Sequence, residues 1–362
     1  MSPQDALPQS QRYAGTRPAS VAPATVAPAT VAVVGATGAV GTEMLRVLET
    51  RGFPVRELRL LASRRSAGTM MTFRGEAVAV AELGEASFEG VDIALFSAGG
   101  ERSRLFAPAA VRAGAVVIDN SSAYRMAPDV PLVVPEINGG ALAGHSGIIA
   151  NPNCAAIIAG LPLWALHQVN PIRRVVITTY QAASGAGAAA MQELIDSTKA
   201  YLAGEAFTPR VMPHPYAFNL FSHNTEIDPQ SGYNDEETKV IRELRKIFAE
   251  PELRVTATCV RVPVLRAHAI ALNVTFDRPM TPAAAREILA AAPGLRLVDD
   301  VQRNHFPMPN EASGADDVLV GRIREDFSDG SGRSLALFVA GDQLLKGAAL
   351  NAVQIAELVR GT

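Results

Sequence analysis

One cysteine of this chain lies where a thiol would be reactive. The segment Asn151-Pro152-Asn153-Cys154-Ala155-Ala156 places Cys154 after a turn, at the predicted start of a helix. Backbone N–H groups and the positive end of the helix dipole stabilise a thiolate there, and the thiolate is the nucleophilic form. Such a nucleophile indicates covalent catalysis at an acyl carbon. The alternative is a small buried residue that packs the helix start, which is common for isolated cysteines.

The second half of the chain supplies polar residues that could surround an acyl group. A predicted strand, 175–181, ends at Gln181, whose amide could orient a carbonyl or only cap the turn. Ser184-Gly185 opens the next helix and could bind a cofactor amide or phosphate. Arg261 and His268 flank an apolar stretch. Arginine is the usual two-pronged ligand of a carboxylate, and histidine is the usual proton shuttle near neutral pH.

Two other features of this half have a structural interpretation on pattern alone. Cys259 lies inside a β-like run with no helix start after it, so it is predicted to be an inert packing residue. Glu236 and Lys239 share one face of a predicted helix, 236–248. Such charged pairs are usually solvated surface pairs that contribute little to stability.

The first half carries the pattern of a dinucleotide-binding unit. A short β-branched run, 31–34, predicts a buried parallel strand, and a helix is predicted for 42–50. The glycine turn between them, 35–41, has the spacing G-x-x-G-x-x-G rather than G-x-G-x-x-G. A glycine turn in this context lets backbone N–H groups approach a pyrophosphate at the helix N-terminus.

The next predicted strand, 58–62, bears on the choice of cofactor. A carboxylate after this strand would bind the ribose 2′-hydroxyl of NAD, but the chain continues with Ser63-Arg64-Arg65-Ser66. Positive charge and hydroxyl donors suit the 2′-phosphate of NADP. The alternative is a solvated basic loop. Further strands at 91–96 and 116–118, with a helix at 102–113 between them, continue a βαβ alternation.

Composition excludes several classes of protein. With 362 residues, 48% of them hydrophobic and 19% charged, the chain suits a globular protein of two domains. A net charge of −3 gives no sign of nucleic-acid binding, and no apolar run is long enough to predict a membrane span. Two cysteines in unlike settings indicate a reducing compartment, the cytoplasm, and no metal site is expected. Residues 1–30, rich in proline and alanine, are predicted to be a disordered tail.

Seven segments occur in the order and spacing of one enzyme family. They are GATGAVG, ASRRSAG, DNSSAYR, NPNC, TYQAASGAG, EETK and TCVRVPVLRAH. From about Val31 to its end the chain resembles the aspartate-β-semialdehyde dehydrogenases, and Tyr216–Asn224 resembles the branch found in bacteria and plants. The resemblance leaves out only the tail.

The resemblance implies an α/β fold: a Rossmann-like NADP-binding domain plus an α+β catalytic and dimerisation domain. The NADP-binding domain would be 31–152 plus 343–362, and the catalytic domain, 153–342, would build the interface of a homodimer. The implied reaction is the reversible, NADPH-dependent reductive dephosphorylation of L-4-aspartyl phosphate to L-aspartate 4-semialdehyde through a cysteine thioester. This small-molecule chemistry serves the biosynthesis of lysine, methionine, threonine and diaminopimelate.

The resemblance also implies roles for individual residues. Cys154 would be the nucleophile, His268 the general acid and base, and Gln181 the residue that orients the acyl group. The implied substrate ligands are Asn153 beside the nucleophile, Arg261 for the α-carboxylate, Glu236 for the amino group, and Arg125 with Lys239 for the phosphate. For Glu236 and Lys239 the resemblance therefore overrides the structural interpretation.

The implied cofactor ligands come from both halves of the chain. Those of the first half are Gly35, Thr37, Gly38, Ala39 and Val40 around the pyrophosphate, and Arg65 and Ser66 at the 2′-phosphate. Those of the second half are Ser184, Gly185 and Gln343, the last of which would reach the nicotinamide.

The chain departs from the family pattern at two places. Ala155-Ala156 replaces a hydroxyl residue after the cysteine, and Ile270 replaces a glutamate after the histidine, which bears on rate and pH optimum rather than reaction type. Two alternatives stay open. One is N-acetyl-γ-glutamyl-phosphate reductase, which shares the cysteine and the acyl-phosphate chemistry. The other is a catalytically silent NADP-binding protein.

Overall fold

The computed structural model describes residues 27–361, which form two compact units. One unit is Cys154–Lys346, and the other runs up to Asn153 and resumes at Gly347. Gln343 therefore falls in the unit that contains Cys154. The tail predicted for residues 1–30 lies outside the described residues as far as residue 26, and Ala29 and Thr30 already belong to the first strand.

The secondary structure is as follows. The strands are β1 Ala29–Val34, β2 Val55–Ala62, β3 Met70–Phe73, β4 Glu76–Glu82, β5 Ile93–Phe96, β6 Val116–Asp119, β7 Ile148–Ala150, β8 Ile172–Gln181, β9 Phe221–Ser222, β10 Arg254–Arg261, β11 His268–Phe276, β12 Leu295–Leu297, β13 Val318–Glu325 and β14 Ser334–Gly341. The helices are α1 Ala39–Thr50, α2 Gly100–Arg112, α3 Pro135–Asn138, α4 Cys154–Val169, α5 Ala188–Ala203, α6 Asp235–Ile247, α7 Pro282–Ala291, α8 Pro309–Ala312 and α9 Leu350–Gly361. A short π-helix, Leu345–Ala349, precedes α9.

The unit that contains β1 is a seven-stranded sheet in the order β3-β4-β2-β1-β5-β6-β7. All its strand pairs are parallel except β3 with β4. Every residue of β1 is buried, because neighbouring strands flank it and helices cover such sheets on both faces. That environment explains the uninterrupted apolar run in the sequence. Strand β1 begins at Ala29, two residues before the predicted start.

The turn from β1 into α1 requires glycine at particular positions. Gly35 has a φ of +84°, and a side chain there would collide with the backbone carbonyl of Ser97 at the end of β5. A side chain at Gly41 would collide with the carbonyls of Gly35 and Ala36. Because these two residues have no side chain, the turn packs directly against neighbouring backbone atoms.

The second unit is a mixed sheet in the order β12-β13-β14-β11-β8-β10-β9. Strands β8 and β10 are parallel, and β11 and β9 run opposite to their neighbours. Strand β14 is antiparallel to β11 and so has the direction of β8. Consequently β8, β10 and β14 end at the same edge of the sheet at which β9 and β11 begin.

Helices pack against this sheet. Helix α4 contacts β8, β11, β13 and β14, and α6 contacts β10. Ten of the sixteen residues of α4 are buried, as expected of a core helix that is apolar all round. No helix within residues 27–361 has both the length and the apolar character needed to cross a membrane.

Replacement of Gly35 by alanine tests the backbone constraint at the first turn. The positive φ and the collision with Ser97 together are expected to lower the free energy of unfolding by about 2–4 kcal/mol. Gly52→Ala is the matched control, because Gly52 also has a positive φ, +64°, but has open space around it. Urea unfolding should give the control a smaller loss, about 1–2 kcal/mol. Equal losses would contradict the close approach.

Candidate active site

Three of the predicted site residues meet at one edge of the second sheet. Gln181 ends β8 and Arg261 ends β10, and the two residues are register partners in adjacent parallel strands. His268 begins β11 on the other side of β8, where the antiparallel direction starts the strand at that edge. All three are buried, with at most 4% of their surface exposed. The sheet topology therefore brings together residues that lie up to 87 positions apart in the chain.

The backbone of Ala182 joins two of these side chains. Its N–H donates to Nδ1 of His268 at 3.0 Å, and its carbonyl accepts from a terminal nitrogen of Arg261 at 3.2 Å. Both bonds are buried. Histidine and arginine are thus fixed relative to the end of β8 and to each other.

The bond to Nδ1 determines which ring nitrogen of His268 carries a proton. Because Nδ1 accepts a hydrogen bond from a backbone N–H, the neutral ring must carry its proton on Nε2. Nε2 is buried and has no hydrogen-bond partner within residues 27–361. Burial lowers the pKa of His268 well below its ordinary value, and the charges of Arg261 and His223 lower it further. His268 therefore presents a neutral N–H donor.

Gly185 leaves space in front of these donors. A Cβ placed on Gly185 would lie 3.1 Å from a terminal nitrogen of Arg261 and also 3.1 Å from Nε2 of His268. The two donors therefore converge on one point beside the backbone of the 3₁₀ turn Ala183–Ala186. Any side chain at this position would occupy that point.

Glu236 reaches the same edge from the first turn of α6. Its carboxylate accepts from Nε2 of Gln181 at 3.2 Å, and both residues are buried. A capping box starts the helix, in which Asn234 and Glu237 exchange hydrogen bonds of 2.9 Å. Glu237 also accepts from the backbone N–H of Cys259 at 2.9 Å, which ties α6 to β10. The helix start is therefore held against the strand that ends at Arg261.

Lys239 lies one turn further along α6. Its ammonium group is 2.7 Å from the carboxylate of Asp235, and about a quarter of its side chain is exposed. The pair has the i, i+4 spacing of a surface ion pair. Lys239 thus places a positive charge at the exposed side of the helix start.

Cys154 is the first residue of α4 and is half-buried. One turn later, Ile158 packs against Gly341 at the end of β14, with side-chain atoms 3.0 Å from where a Cβ would stand on Gly341. The beginning of α4 therefore lies at the same sheet edge. The charge of a Cys154 thiolate also acts on Arg261: burial lowers the pKa of Arg261, while Tyr216, Glu236 and Cys154 raise it.

The second cysteine has a different environment. Cys259 is fully buried inside β10, and burial raises the pKa of its thiol to about 12. Such a thiol stays protonated and unreactive at neutral pH. Its environment is that of a packing residue, as the sequence predicts.

Gln343 and Ser184 are hydrogen-bonded to each other. The Gln343 amide donates from Nε2 to the Ser184 hydroxyl, and its Oε1 accepts from the backbone N–H of Ala267 at 2.9 Å. Both side chains are almost completely buried. Its amide holds the residue before His268, and the contact of Gln343 with the nicotinamide that the resemblance implies stays a prediction.

The other unit contains the remaining predicted residues. Thr37, Gly38, Ala39 and Val40 follow β1 and open α1, and the cap residue Gly38 provides no side-chain hydrogen bond to the first turn. An anion such as a pyrophosphate can therefore approach the backbone N–H groups at the N-terminus of α1. Arg65 is exposed and Ser66 half-exposed in the 3₁₀ turn that follows β2. Both can be reached by a ligand.

Arg125 and Asn153 are buried in this same unit. Arg125 donates from Nε to the carbonyl of Asn151 at 2.9 Å and from a terminal nitrogen to that of Asn120 at 2.7 Å. Asn151 in turn donates to Asn120 at 2.8 Å and accepts from Asn351 of α9 at 2.6 Å. This network fixes the chain just before Asn153.

Within residues 27–361, no group of three or more His, Cys, Asp or Glu side chains could hold a metal ion.

The structure adds three residues that the sequence-based prediction missed. Asn224 accepts from Nε of Arg261 at 3.1 Å. The Thr225 hydroxyl accepts from the backbone N–H of Glu236 at 3.2 Å and pairs with Nδ1 of buried His223 at 3.2 Å. All three follow β9, whose two residues pair with the last two of β10. A two-residue strand leaves no periodic pattern, so only the polar run after Phe221 could have indicated this segment.

Comparison with known proteins identifies the class of protein to which the chain belongs. Residues 30–145 match the family model of the semialdehyde dehydrogenase NAD binding domain, and residues 163–346 match that of the semialdehyde dehydrogenase dimerisation domain. The two matched models together define a two-domain semialdehyde dehydrogenase.

Individual relatives narrow the class. The aspartate-semialdehyde dehydrogenase of Synechocystis sp. is 54% identical over 91% of this chain and 96% of its own, and that of Bacillus subtilis is 47% identical over 91% and 96%. A crystal structure of aspartate semialdehyde dehydrogenase II complexed with ASA from Vibrio cholerae has a TM-score of 0.89 and 43% identity, covering 92% of this chain and 98% of that one.

The chain belongs to the aspartate-semialdehyde dehydrogenase family. The sequence-based predictions of the family, the fold class, the enzyme class and the overall reaction are thereby confirmed. The prediction of a nicotinamide dinucleotide cofactor is confirmed as well, by the matched binding domain.

The two buried histidines predict how stability depends on pH. Burial is the main cause of the lowered pKa of His268 and also of His223, whose pKa falls to about 4. Below the unfolded value of about 6.5 the unfolded chain therefore binds more protons, so the free energy of unfolding falls as pH falls. From pH 7 to 5.5 each histidine should cost about 1 kcal/mol. Urea unfolding at both pH values measures this fall in the free energy of unfolding. The fall should be smaller in His268→Gln than in the wild type. An equal fall in the two proteins would contradict a buried, neutral His268.

Proposed function

We propose that this chain carries out its family's reaction, between L-4-aspartyl phosphate and L-aspartate 4-semialdehyde, through a thioester on Cys154. One observation supports the residue assignment most: the helix that Cys154 opens begins at the sheet edge where Gln181, Arg261 and His268 meet. A nucleophile, a cation for a carboxylate and two polar side chains for an acyl oxygen are thereby brought to one place.

The charges of the site match the two ionic groups of an aspartyl substrate. Arg261, oriented by Asn224 and by the carbonyl of Ala182, is the proposed ligand of the α-carboxylate. Glu236, held at the start of α6, is the proposed partner of the free α-amino group. An N-acetylated substrate lacks that cationic group, so the buried carboxylate favours the aspartyl substrate.

The acylation step needs a nucleophile and a leaving group. The Cys154 thiolate forms a bond to the acyl carbon, the carbon–oxygen bond to phosphate breaks, and the electron pair leaves with the phosphate. Lys239, at the exposed side of the α6 start, is the proposed phosphate ligand in this unit. Arg125 and Asn153, predicted from the resemblance to bind phosphate and to flank the nucleophile, remain part of the proposal.

When bound, a nicotinamide cofactor would supply the hydride for the thioester carbon. The negative charge that develops on the acyl oxygen needs donors, and the Nε2–H group of His268 is the proposed one, with the Gln181 amide beside it. Collapse of the tetrahedral oxyanion expels the Cys154 thiolate directly and requires no proton. A neutral donor therefore suffices, and we propose this narrower role for His268 in place of a general acid and base.

The cofactor is proposed to be NADP, because β2 is followed by Arg64, Arg65 and Ser66 with no carboxylate that would bind a ribose 2′-hydroxyl.

Arg65→Ala is expected to raise KM for NADP about 10- to 100-fold, since one charge-assisted bond to phosphate is lost. Steady-state kinetics would measure it, with the neighbouring exposed Arg64→Ala as the control. Equal effects of both substitutions would contradict the assignment of the 2′-phosphate to Arg65.

The homodimer is proposed to form through the unit Cys154–Lys346, which matches the dimerisation domain of the family. Residues at alternate positions of its sheet, Thr178 and Tyr180 of β8 and Asn273 of β11, are only half-buried. This face of the sheet could accept a second copy.

We also propose a cytoplasmic location, because a thiol nucleophile must stay reduced to work.

The experiment that tests the function is NADPH formation by the purified protein from L-aspartate 4-semialdehyde, phosphate and NADP. We expect phosphate-dependent turnover that Cys154→Ala reduces by at least about 1,000-fold, because the covalent route is lost. Cys259→Ala is the matched control and should retain turnover. Activity with N-acetylglutamate semialdehyde alone would favour the glutamyl-type reductase, and NADP binding without turnover would favour a silent binder.

A further inference from the structure

The residue before His268 has an unusual backbone conformation. Ala267 has a φ of +71°, in the left-handed region that residues with a Cβ rarely adopt. It is fully buried, and it lies directly between Arg266 and His268. Strained residues of this kind persist only where their surroundings hold them in place.

Gln343 and an apolar cluster hold Ala267. The Ala267 N–H donates to Oε1 of Gln343 at 2.9 Å, and the other end of the same amide donates to Ser184. The Ala267 methyl group lies in a buried cluster with Ala312, Leu319 and Ala340. Gln343 therefore fixes the peptide group that leads into His268.

Asp342 holds the residue before Ala267. Its fully buried carboxylate accepts from Nε of Arg266 at 2.7 Å and from the backbone N–H groups of Gly314 at 2.7 Å and Leu344 at 2.9 Å. These bonds join three loops at the end of β14. Asp342 and Gln343 are adjacent in sequence, so one turn of the chain forms hydrogen bonds with both residues that precede His268, Arg266 and Ala267.

We propose that Gln343 and Asp342 are positioning residues for His268, and that the strained Ala267 is the joint through which they act. Ala182 holds Nδ1 of the ring, while this turn holds the backbone at the start of β11. Together they aim Nε2 at the point beside Gly185. The inference rests on the proposed function, because it assigns the aim of His268 to the stabilisation of the acyl oxygen. A misplacement of about 1 Å can cost about 100-fold in rate.

Gln343→Met and Gln343→Glu test the proposal as a pair. Methionine keeps the volume but loses both hydrogen bonds, whereas glutamate keeps an acceptor for the Ala267 N–H and can accept from the Ser184 hydroxyl. We expect kcat to fall about 10- to 100-fold in the methionine variant and to stay within about fivefold of wild type in the glutamate variant. The KM value for semialdehyde should change little in either variant.

Two further readouts separate positioning from other roles. The alkylation rate of Cys154 by iodoacetamide should be unchanged in both variants, because the thiol is not part of the turn. A rise in KM for NADP with kcat unchanged would show that Gln343 serves the cofactor and would overturn the proposal. An unchanged kcat in Gln343→Met would also overturn it. Wild-type protein that lacks phosphate-dependent turnover would instead refute the proposed function.

Ala267→Gly tests the joint itself, with Ala249→Gly as its matched control. Ala249, exposed after the end of α6, has a comparable φ of +56°. In the control, relief of strain should raise Tm by about 2 °C and leave kcat unchanged. In Ala267→Gly, the lost methyl contacts should offset the relief, so Tm should change little, while backbone freedom before His268 should lower kcat at least about tenfold. Equal kcat values in the two variants would overturn the role of Ala267.

Discussion

Both backbone groups of Ala182 form hydrogen bonds with side chains of the candidate site, and the proposed chemistry depends on those two bonds. The N–H group fixes Nδ1 of His268, and the carbonyl fixes a terminal nitrogen of Arg261. The first bond places the ring proton on Nε2, which makes a buried, neutral donor out of a residue that usually shuttles protons. The second bond orients the cation proposed for the substrate carboxylate. A single residue, just after the end of β8, therefore sets the distance between the group that would bind the substrate and the group that would stabilise its reacting oxygen.

The sheet makes this arrangement possible. Strands β8 and β10 are parallel neighbours, so Gln181 and Arg261 end side by side, and antiparallel β11 starts with His268 at the same edge. Strand β14 also ends there, and its continuation supplies Asp342 and Gln343. Helix α4 contacts β8, β11 and β14 and brings Cys154 to the same edge. The side chains proposed for the site are thus placed by rigid elements rather than by long loops, which favours the accuracy that the proposed covalent chemistry needs.

The sequence predicted much of this site for reasons that can be stated residue by residue. Cys154 was recognisable because a turn precedes it and an apolar helix follows, and the glycines of the first turn because a strand and a helix enclose them. The roles proposed for Glu236 and Lys239 came only from resemblance, since an i, i+3 pair has the same pattern on any surface helix. The contacts made by His223–Thr225, the strain at Ala267 and the tautomer of His268 could not be predicted. Each depends on hydrogen bonds between residues far apart in the chain.

The most direct measurement is ¹⁵N NMR of the histidine rings from pH 6 to 9, with the His268 signals assigned from their loss in His268→Gln. The structure predicts that His268 stays neutral across this range, with the proton on Nε2 and a hydrogen-bonded, unprotonated Nδ1. A ring protonated on Nδ1, or one that titrates to imidazolium near pH 6.5, would contradict the bond from Ala182 and with it the neutral-donor mechanism.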